Sequence, residues 1–302
     1  MTGAEFGATQ RSRAALFVLF SGVLFGTTGT AVVLSGVDAS STAVAATRLI
    51  VGSAGLIAIV LVQREFADLL ALWRRPRVWV MGLGVAFYMW FFFVAVSFAG
   101  AAVSALVSIS LSPVLTGTIA RLFGKPWPGR VWVYSTLLAI VGVVLLSAPT
   151  GIDDGTNRVL GAVAAALGST AYAFYTVVGA KLVDDGHHAT DALAASFTIG
   201  AVILLPFLVI DRAWLFSGSG LALAMWLGLG TTTIAYVLFG IGITHLQPGI
   251  VATMLLSEPA VATLLGVVVL GETMLLRGWV GCVLIAAGLF MVGRNEQQRV
   301  HA

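Results

Sequence analysis

The chain is organised by long stretches that carry no charge. Ala14 to Val37 is one, and Thr42 to Val62 carries only Arg48. Val78 to Ala120 is also charge-free. It is about twice the roughly 20 apolar residues that a helical bilayer crossing needs, so it divides at Ala99-Gly100 into a helical hairpin. Ala213 to Ser257 is likewise double, broken at Gln247-Pro248-Gly249, where proline and glycine mark a helix boundary. Single crossings follow at Val131 to Ala148, Val159 to Ala180, Ala192 to Ile210 and Gly278 to Gly293. The pattern predicts an all-α polytopic membrane protein with ten transmembrane helices, at 14–35, 42–62, 78–98, 101–121, 131–148, 159–182, 191–210, 220–243, 248–270 and 277–293. A transmembrane barrel is excluded, because barrel strands alternate apolar and polar residues whereas these runs are continuous. The first run exceeds a signal-peptide core and lacks a small-residue cleavage site, so it is read as an uncleaved helix.

Composition agrees with a lipid-embedded chain. Of 302 residues, 59% are hydrophobic and 10% charged, against about a quarter charged in a soluble domain. A soluble enzyme and a disordered chain are both excluded. The net charge is +3 and no basic stripe is interleaved with aromatics, so no nucleic-acid partner is expected. Cys282 is the single cysteine, which rules out an internal disulfide and a CxxC metal site.

Cytoplasmic loops hold most Lys and Arg in membrane proteins. With the N-terminus inside, the inner segments contain Arg11, Arg13, Arg64, Arg74, Arg75, Arg77, Arg121, Lys125, Arg130, Lys181, Arg294 and Arg299. The outer loops contain only Arg158, Arg212 and Arg277. This asymmetry would collapse with one helix added or lost in the middle, so both termini are expected in the cytoplasm. Gln63 to Arg77, with apolar residues among charges, is read as a linker along the inner surface.

Two halves are visible. Ser110-Leu111-Ser112-Pro113, Gly124-Lys125, Arg130-Val131-Trp132 and Gly142 recur as Leu256-Ser257-Glu258-Pro259, Gly271-Glu272, Arg277-Gly278-Trp279 and Gly288, offset by 146 or 147 residues. The expected units are residues 1–150 and 151–302, five helices each. An odd number of helices sends the second copy into the membrane from the opposite side, giving two inverted five-helix repeats of the kind secondary transporters use.

Leu255-Leu256-Ser257-Glu258-Pro259, an apolar run and Leu270-Gly271-Glu272, together with Phe25-Gly26-Thr27-Thr28-Gly29-Thr30-Ala31 and Ala46-Thr47-Arg48-Leu49, resemble the EamA-type branch of the drug/metabolite transporter (DMT) superfamily. The resemblance spans the chain. It implies a ten-helix exporter with inverted repeats around a central cavity, in a branch that includes amino-acid exporters, among them aromatic amino-acid exporters of the YddG type. Small four-helix multidrug members of the superfamily rely on a glutamate in their first helix. Residues 14–35 contain no acid, so that chemistry does not carry over.

Two charges fall at membrane depth, where an ionisable group faces the protein interior or a wet cavity. Glu258 can couple protons, recognise a substrate amine, or support the bend at Pro259. Arg48 can snorkel to the surface, bind a substrate carboxylate bidentately, or pair with Glu258. Tyr88, Trp90 and Phe92, with Tyr172 and Tyr175, supply aromatic pocket surfaces or helix packing. Tyr88 and Phe92 share a helix face and Trp90 does not, so the three cannot line one narrow pocket. Hydroxyl ladders at Thr27-Thr28-Thr30, Ser104-Ser108-Ser112 and Thr231-Thr232-Thr233-Tyr236 line a pathway or bond helices together. Gly22 and Gly26 allow close packing within the fold or in a dimer. Pro113 and Pro259 are expected hinges.

Asp184-Asp185-Gly186-His187-His188 has metal-ligand composition but no matching ligands elsewhere, so it reads as a solvated turn and no metal site is expected. No hydrolase elbow, HExxH or phosphate-binding GxxxxGK[ST] occurs, and no cofactor is implied. The expectation is a non-enzymatic secondary transporter in a bacterial cytoplasmic (inner) membrane, a monomer or homodimer in the lipid bilayer. It would export small amphipathic molecules, amino acids first, by alternating access. A broad drug/metabolite permease is the alternative, and an intramembrane enzyme a remote one.

Overall fold

A computed structural model describes residues 3–63, 66–147 and 157–298. Among them nine helices are long and apolar enough to cross a membrane, and a tenth is shorter. They are α1 (Gln10–Ser35), α2 (Ser41–Gln63), α3 (Pro76–Gly100), α4 (Val103–Leu122), α5 (Arg130–Leu146), α6 (Val159–Asp184), α7 (Ala189–Ile210), α8 (Gly218–His245), α9 (Pro248–Leu270) and α10 (Leu276–Glu296). Predicted and observed ends agree within a few residues. The hairpin break between α3 and α4 is at Gly100, whose φ of 79° is open to glycine but strained for other residues. The linker at 148–156 lies outside the described residues, as do Arg64 and Arg299.

The two halves pack by one rule. α2 lies on α7 and α5 on α10, while α3 and α4 lean on α6 as α8 and α9 lean on α1. At the α5–α10 contact the symmetry reaches single residues. A Cβ on Gly142 would lie 2.6 Å from the Gly281 carbonyl oxygen and 2.8 Å from Ile285; one on Gly288 would lie 2.6 Å from the Ser135 carbonyl oxygen and 3.1 Å from Ala139. Shifting Ser135, Ala139 and Gly142 by 146 gives Gly281, Ile285 and Gly288. A pseudo-two-fold axis therefore passes between α5 and α10, as an odd helix count per half requires. Without apolar solvation to drive association in lipid, such small residues let backbones approach and gain dispersion contacts.

The matched landmarks are not used alike. Trp132 is buried, its indole N–H donating to the Gly249 carbonyl (3.1 Å) and the Thr253 hydroxyl (3.0 Å). Its counterpart Trp279 is 47% exposed. The expected hinges also differ. Pro113 lies within a continuous helix. In α9 the helix is interrupted at Leu255-Leu256, between segments Pro248–Met254 and Ser257–Leu270. Pro259 has no N–H to return to the Leu255 carbonyl, which accepts instead from Glu258 N–H at 3.0 Å in a tighter turn.

The linker between α2 and α3 contains a short helix, Phe66–Trp73, whose Leu69 and Leu72 are buried against the bundle. The indole of Trp73 donates to the Ala195 carbonyl at 3.0 Å, so this segment is docked on α7. The Asp184-Asp185 turn is more than solvated: Asp185 pairs with Arg77 and Asp184 with Lys125, tying the ends of α3 and α4 to α6.

At the opposite end, Ser40 N–H donates to the Asp211 carboxylate at 2.7 Å and joins the α1–α2 loop to the end of α7. The hydroxyl and amide of Ser40 hold this carboxyl below the usual carboxylate range. A depressed folded-state pKa stabilises fully above the ordinary carboxylate range and ceases to do so as pH falls through the lowered value. After correction for the intrinsic slowing of amide exchange at low pH, the Ser40 amide should therefore lose protection on acidification. Asp211→Asn should remove that pH dependence; an unchanged protected amide would mean that the tie contributes nothing.

Candidate functional site

A cavity of about 520 Å³ lies between the halves, walled by α1, α2, α3, α4, α6, α8 and α9. It runs from the middle of the bundle to the α1–α2 loop at Ala39 and Ser41, away from the Asp184 and Asp185 ion pairs. Its walls are mainly apolar, with a few polar groups, the usual make-up of a small-molecule site.

Of the residues singled out from sequence, Thr28, Arg48, Tyr88, Phe92, Ser108, Tyr172, Tyr175, Tyr236 and Glu258 line this cavity. Two do not. Trp90 is 48% exposed and lies 5.4 Å from the Phe91 ring, off the face that Tyr88 and Phe92 share. Thr27 donates to the Leu24 carbonyl (2.7 Å) and accepts from the Trp226 indole (3.1 Å), fixing α1 to α8. Sequence reading passed over Phe25, Met89 and Phe93 as site residues, although they too face the cavity, as does Ser112 of the Ser104-Ser108-Ser112 ladder. On α3 the signal was present: 88, 92 and 96 and also 89 and 93 recur every four residues, one stripe of a helix.

The closed end of the cavity is an aromatic floor. Four of the five tyrosines belong to it. Tyr88 meets Tyr172 at 5.6 Å, Tyr172 meets Tyr175 at 5.1 Å, and the hydroxyls of Tyr175 and Tyr236 are 3.4 Å apart. Tyr236 also packs edge-on to Phe197 at 4.5 Å and lies 5.1 Å from Phe25. Edge-to-face contacts at these distances add roughly 0.5–1.5 kcal/mol each beyond area burial, so the floor is cohesive.

Arg48 enters from α2. Its Nε donates to the Thr232 hydroxyl and its Nη2 to the Thr231 carbonyl, both at 3.0 Å, and the guanidinium carbon is 5.5 Å from the centre of the Phe25 ring. It neither snorkels free nor forms an ion pair with Glu258. The Thr231-Thr232-Thr233 ladder resolves as interhelical bonding: Thr233 also donates to the Gly52 carbonyl at 3.0 Å, and none of the three lines the cavity. Ser108 does line it, and its buried hydroxyl oxygen has no hydrogen-bond partner.

Glu258 is placed by the break in α9, and α1 comes close to it because Gly22 and Gly26 have no side chains. A Cβ on Gly26 would lie 2.9 Å from the Glu258 carbonyl oxygen, and one on Gly22 would collide with Ser257. This glycine pair therefore serves packing within the fold. The Glu258 carboxylate faces the cavity and makes no ion pair or side-chain hydrogen bond among the described residues.

Comparison with known proteins now identifies the architecture. The EamA-like transporter family matches residues 12–148 and again 159–294. The chain belongs to this family. It is a multi-pass membrane transporter of the DMT superfamily. An uncharacterised transporter, YwfM of Bacillus subtilis, is 33% identical over 94% of this chain and 95% of its own length. The threonine/homoserine exporter RhtA of Salmonella typhimurium is 29% identical over 64% of this chain and 65% of its own. A solved crystal structure shares the fold, with a TM-score of 0.79 at 23% identity, over 96% of this chain and 99% of that one. In an EamA-family transporter, the cavity between the two repeats is the candidate substrate chamber.

Proposed function

We propose that this EamA-family protein is a secondary exporter of small amphipathic metabolites, amino acids foremost, working by alternating access at the cytoplasmic membrane. One observation carries the reading: a guanidinium and a carboxylate face the same aromatic-walled cavity without forming an ion pair with each other. A zwitterion with an apolar side chain complements such a site charge for charge and surface for surface. The likeness to a threonine/homoserine exporter supports the same substrate class.

Direction follows from sidedness. If the basic end of the bundle is cytoplasmic, the cavity reaches the outer face and the tyrosine floor closes the inner one. Loading from the cytoplasm then requires the floor to part between Tyr88 and Phe25 on one repeat and Tyr172, Tyr175 and Tyr236 on the other. Reclosure after loading and opening beside Ser41 completes the cycle. No phosphate-binding loop occurs in the chain, so the driving force assigned to it is a gradient of substrate, protons or potential.

The test is efflux from proteoliposomes loaded with radiolabelled phenylalanine, threonine or a cationic drug. Export of an amino acid above protein-free vesicles is expected. Movement of the drug alone would replace the amino-acid reading with a broad permease, which a cavity of about 520 Å³ could accommodate. Chemically altered cargo, detected by mass spectrometry, would indicate an enzyme.

A further inference from the structure

The helix facing Arg48 is not an α-helix where they meet. Residues Trp226–Ile234 of α8 form a nine-residue π-helix, much longer than the single-turn bulges in which this geometry is usually found. Threonine hydroxyls hold it open. Thr231 and Thr232 both donate to the Leu227 carbonyl at 2.8 Å, and Thr233 shares its one proton between the Gly52 carbonyl at 3.0 Å and the Gly228 carbonyl at 3.2 Å. A glycine on each helix lets α2 approach this segment: side chains at Gly52 and Gly228 would collide with Thr232 and Val51.

The widened turn leaves the Thr231 carbonyl available to Arg48. Because Thr232 spends its proton on Leu227, its oxygen is fixed as an acceptor for Arg48 Nε. Both bonds engage the same edge of the guanidinium, the one formed by Nε and Nη2. The other edge, Nη1 with the second Nη2 proton, has no protein partner among the described residues and belongs to a side chain that lines the cavity. Two parallel N–H groups are the geometry that accepts a carboxylate bidentately. Phe25 backs the guanidinium and further limits its rotation.

We infer that the π-helical segment of α8 presents Arg48 as a preset carboxylate fork, with Thr232 as its positioning residue, so that the chamber selects carboxylate-bearing substrates over the corresponding amines. This rests on the amino-acid reading above and sharpens it. Thr232 is buried and does not line the cavity, so it acts through Arg48. It is also replaceable without an orphaned carbonyl: in Thr232→Val the methyl that packs on Gly52 is kept, and Leu227 still accepts from Thr231.

The experiment is calorimetric binding to the purified full-length protein of phenylalanine, threonine and methionine, each paired with its decarboxylated amine. Wild-type protein should prefer at least one acid over its amine by about 10-fold or more, the scale of one hydrogen bond to a charged group. Thr232→Val should weaken the acid by a similar factor and leave the amine unchanged. Thr232→Ser should restore the preference, and Arg48→Met should abolish it. A preference that survives Thr232→Val, or that is absent from the wild type, overturns the fork; so does binding of neither member of any pair. Failure of the fork leaves the transport reading intact if efflux of any loaded metabolite is seen, whereas absence of all efflux defeats that reading by itself.

Discussion

Glu258→Gln is expected to abolish transport driven by an imposed pH gradient while leaving the protein folded. The carboxylate is at membrane depth, faces the chamber and has no counter-ion in contact. Such a group is costly to maintain and is retained where its charge is used. Glutamine keeps the volume and the ability to hydrogen-bond, so the α9 break and the α1 contact at Gly22 and Gly26 persist. It cannot exchange a proton or offset a substrate ammonium. Loss of a charge-assisted contact costs about 1.5–3 kcal/mol, or roughly 10- to 100-fold in apparent affinity, and loss of coupling removes the pH response altogether. Efflux measured across a series of pH gradients decides the matter. A variant that transports at the wild-type rate at every gradient would confine Glu258 to supporting the helix break before Pro259.

The second large effect is on assembly. Gly142→Leu should destabilise the protein by about 3 kcal/mol or more, beyond the usual 1–3 kcal/mol of overpacking, because the obstacle is backbone and cannot rotate away. The first side-chain carbon alone would lie 2.6 Å from the Gly281 carbonyl oxygen. Gly288→Leu should match it, since the pseudo-two-fold axis puts Gly288 against Ser135 in the same way. Gly293→Leu, on the same α10 but with nothing within 4 Å of its Cβ position, should melt near the wild type. Thermal unfolding of the three variants in detergent tests this. Equal melting temperatures for all three would mean that the α5–α10 contact is not what holds the halves together.

These two sites show different degrees of legibility. Glu258 and Arg48 stood out in the sequence because a charge inside an apolar run is conspicuous. Their relation did not. Whether they pair depends on which helix each one meets, and Arg48 turned out to be held by Thr231 and Thr232, 183 and 184 residues away in the chain. The π-helix was invisible because Thr231-Thr232-Thr233 fits an α-helix equally well by composition. The tyrosines on α6 could be nominated as pocket or packing residues from their depth, and both readings hold: Tyr175 is 1% exposed, yet its ring belongs to the chamber floor. Trp90 was separable from Tyr88 and Phe92 by helical spacing alone.

By itself the sequence determined the solvent, the number of crossings, the duplication and the family resemblance. Each depends on local quantities: the length of an apolar run, the spacing of landmarks, the order of motifs. Tertiary structure decided what equivalent residues do. Trp132 and Trp279 stand at matching places in the two repeats, yet one anchors α5 to α9 and the other is 47% exposed; Pro113 rides within a continuous helix while Pro259 sits in the first turn after a break. Duplication copies residues but not their neighbours, and the energy of a side chain lies in the contacts its neighbours supply.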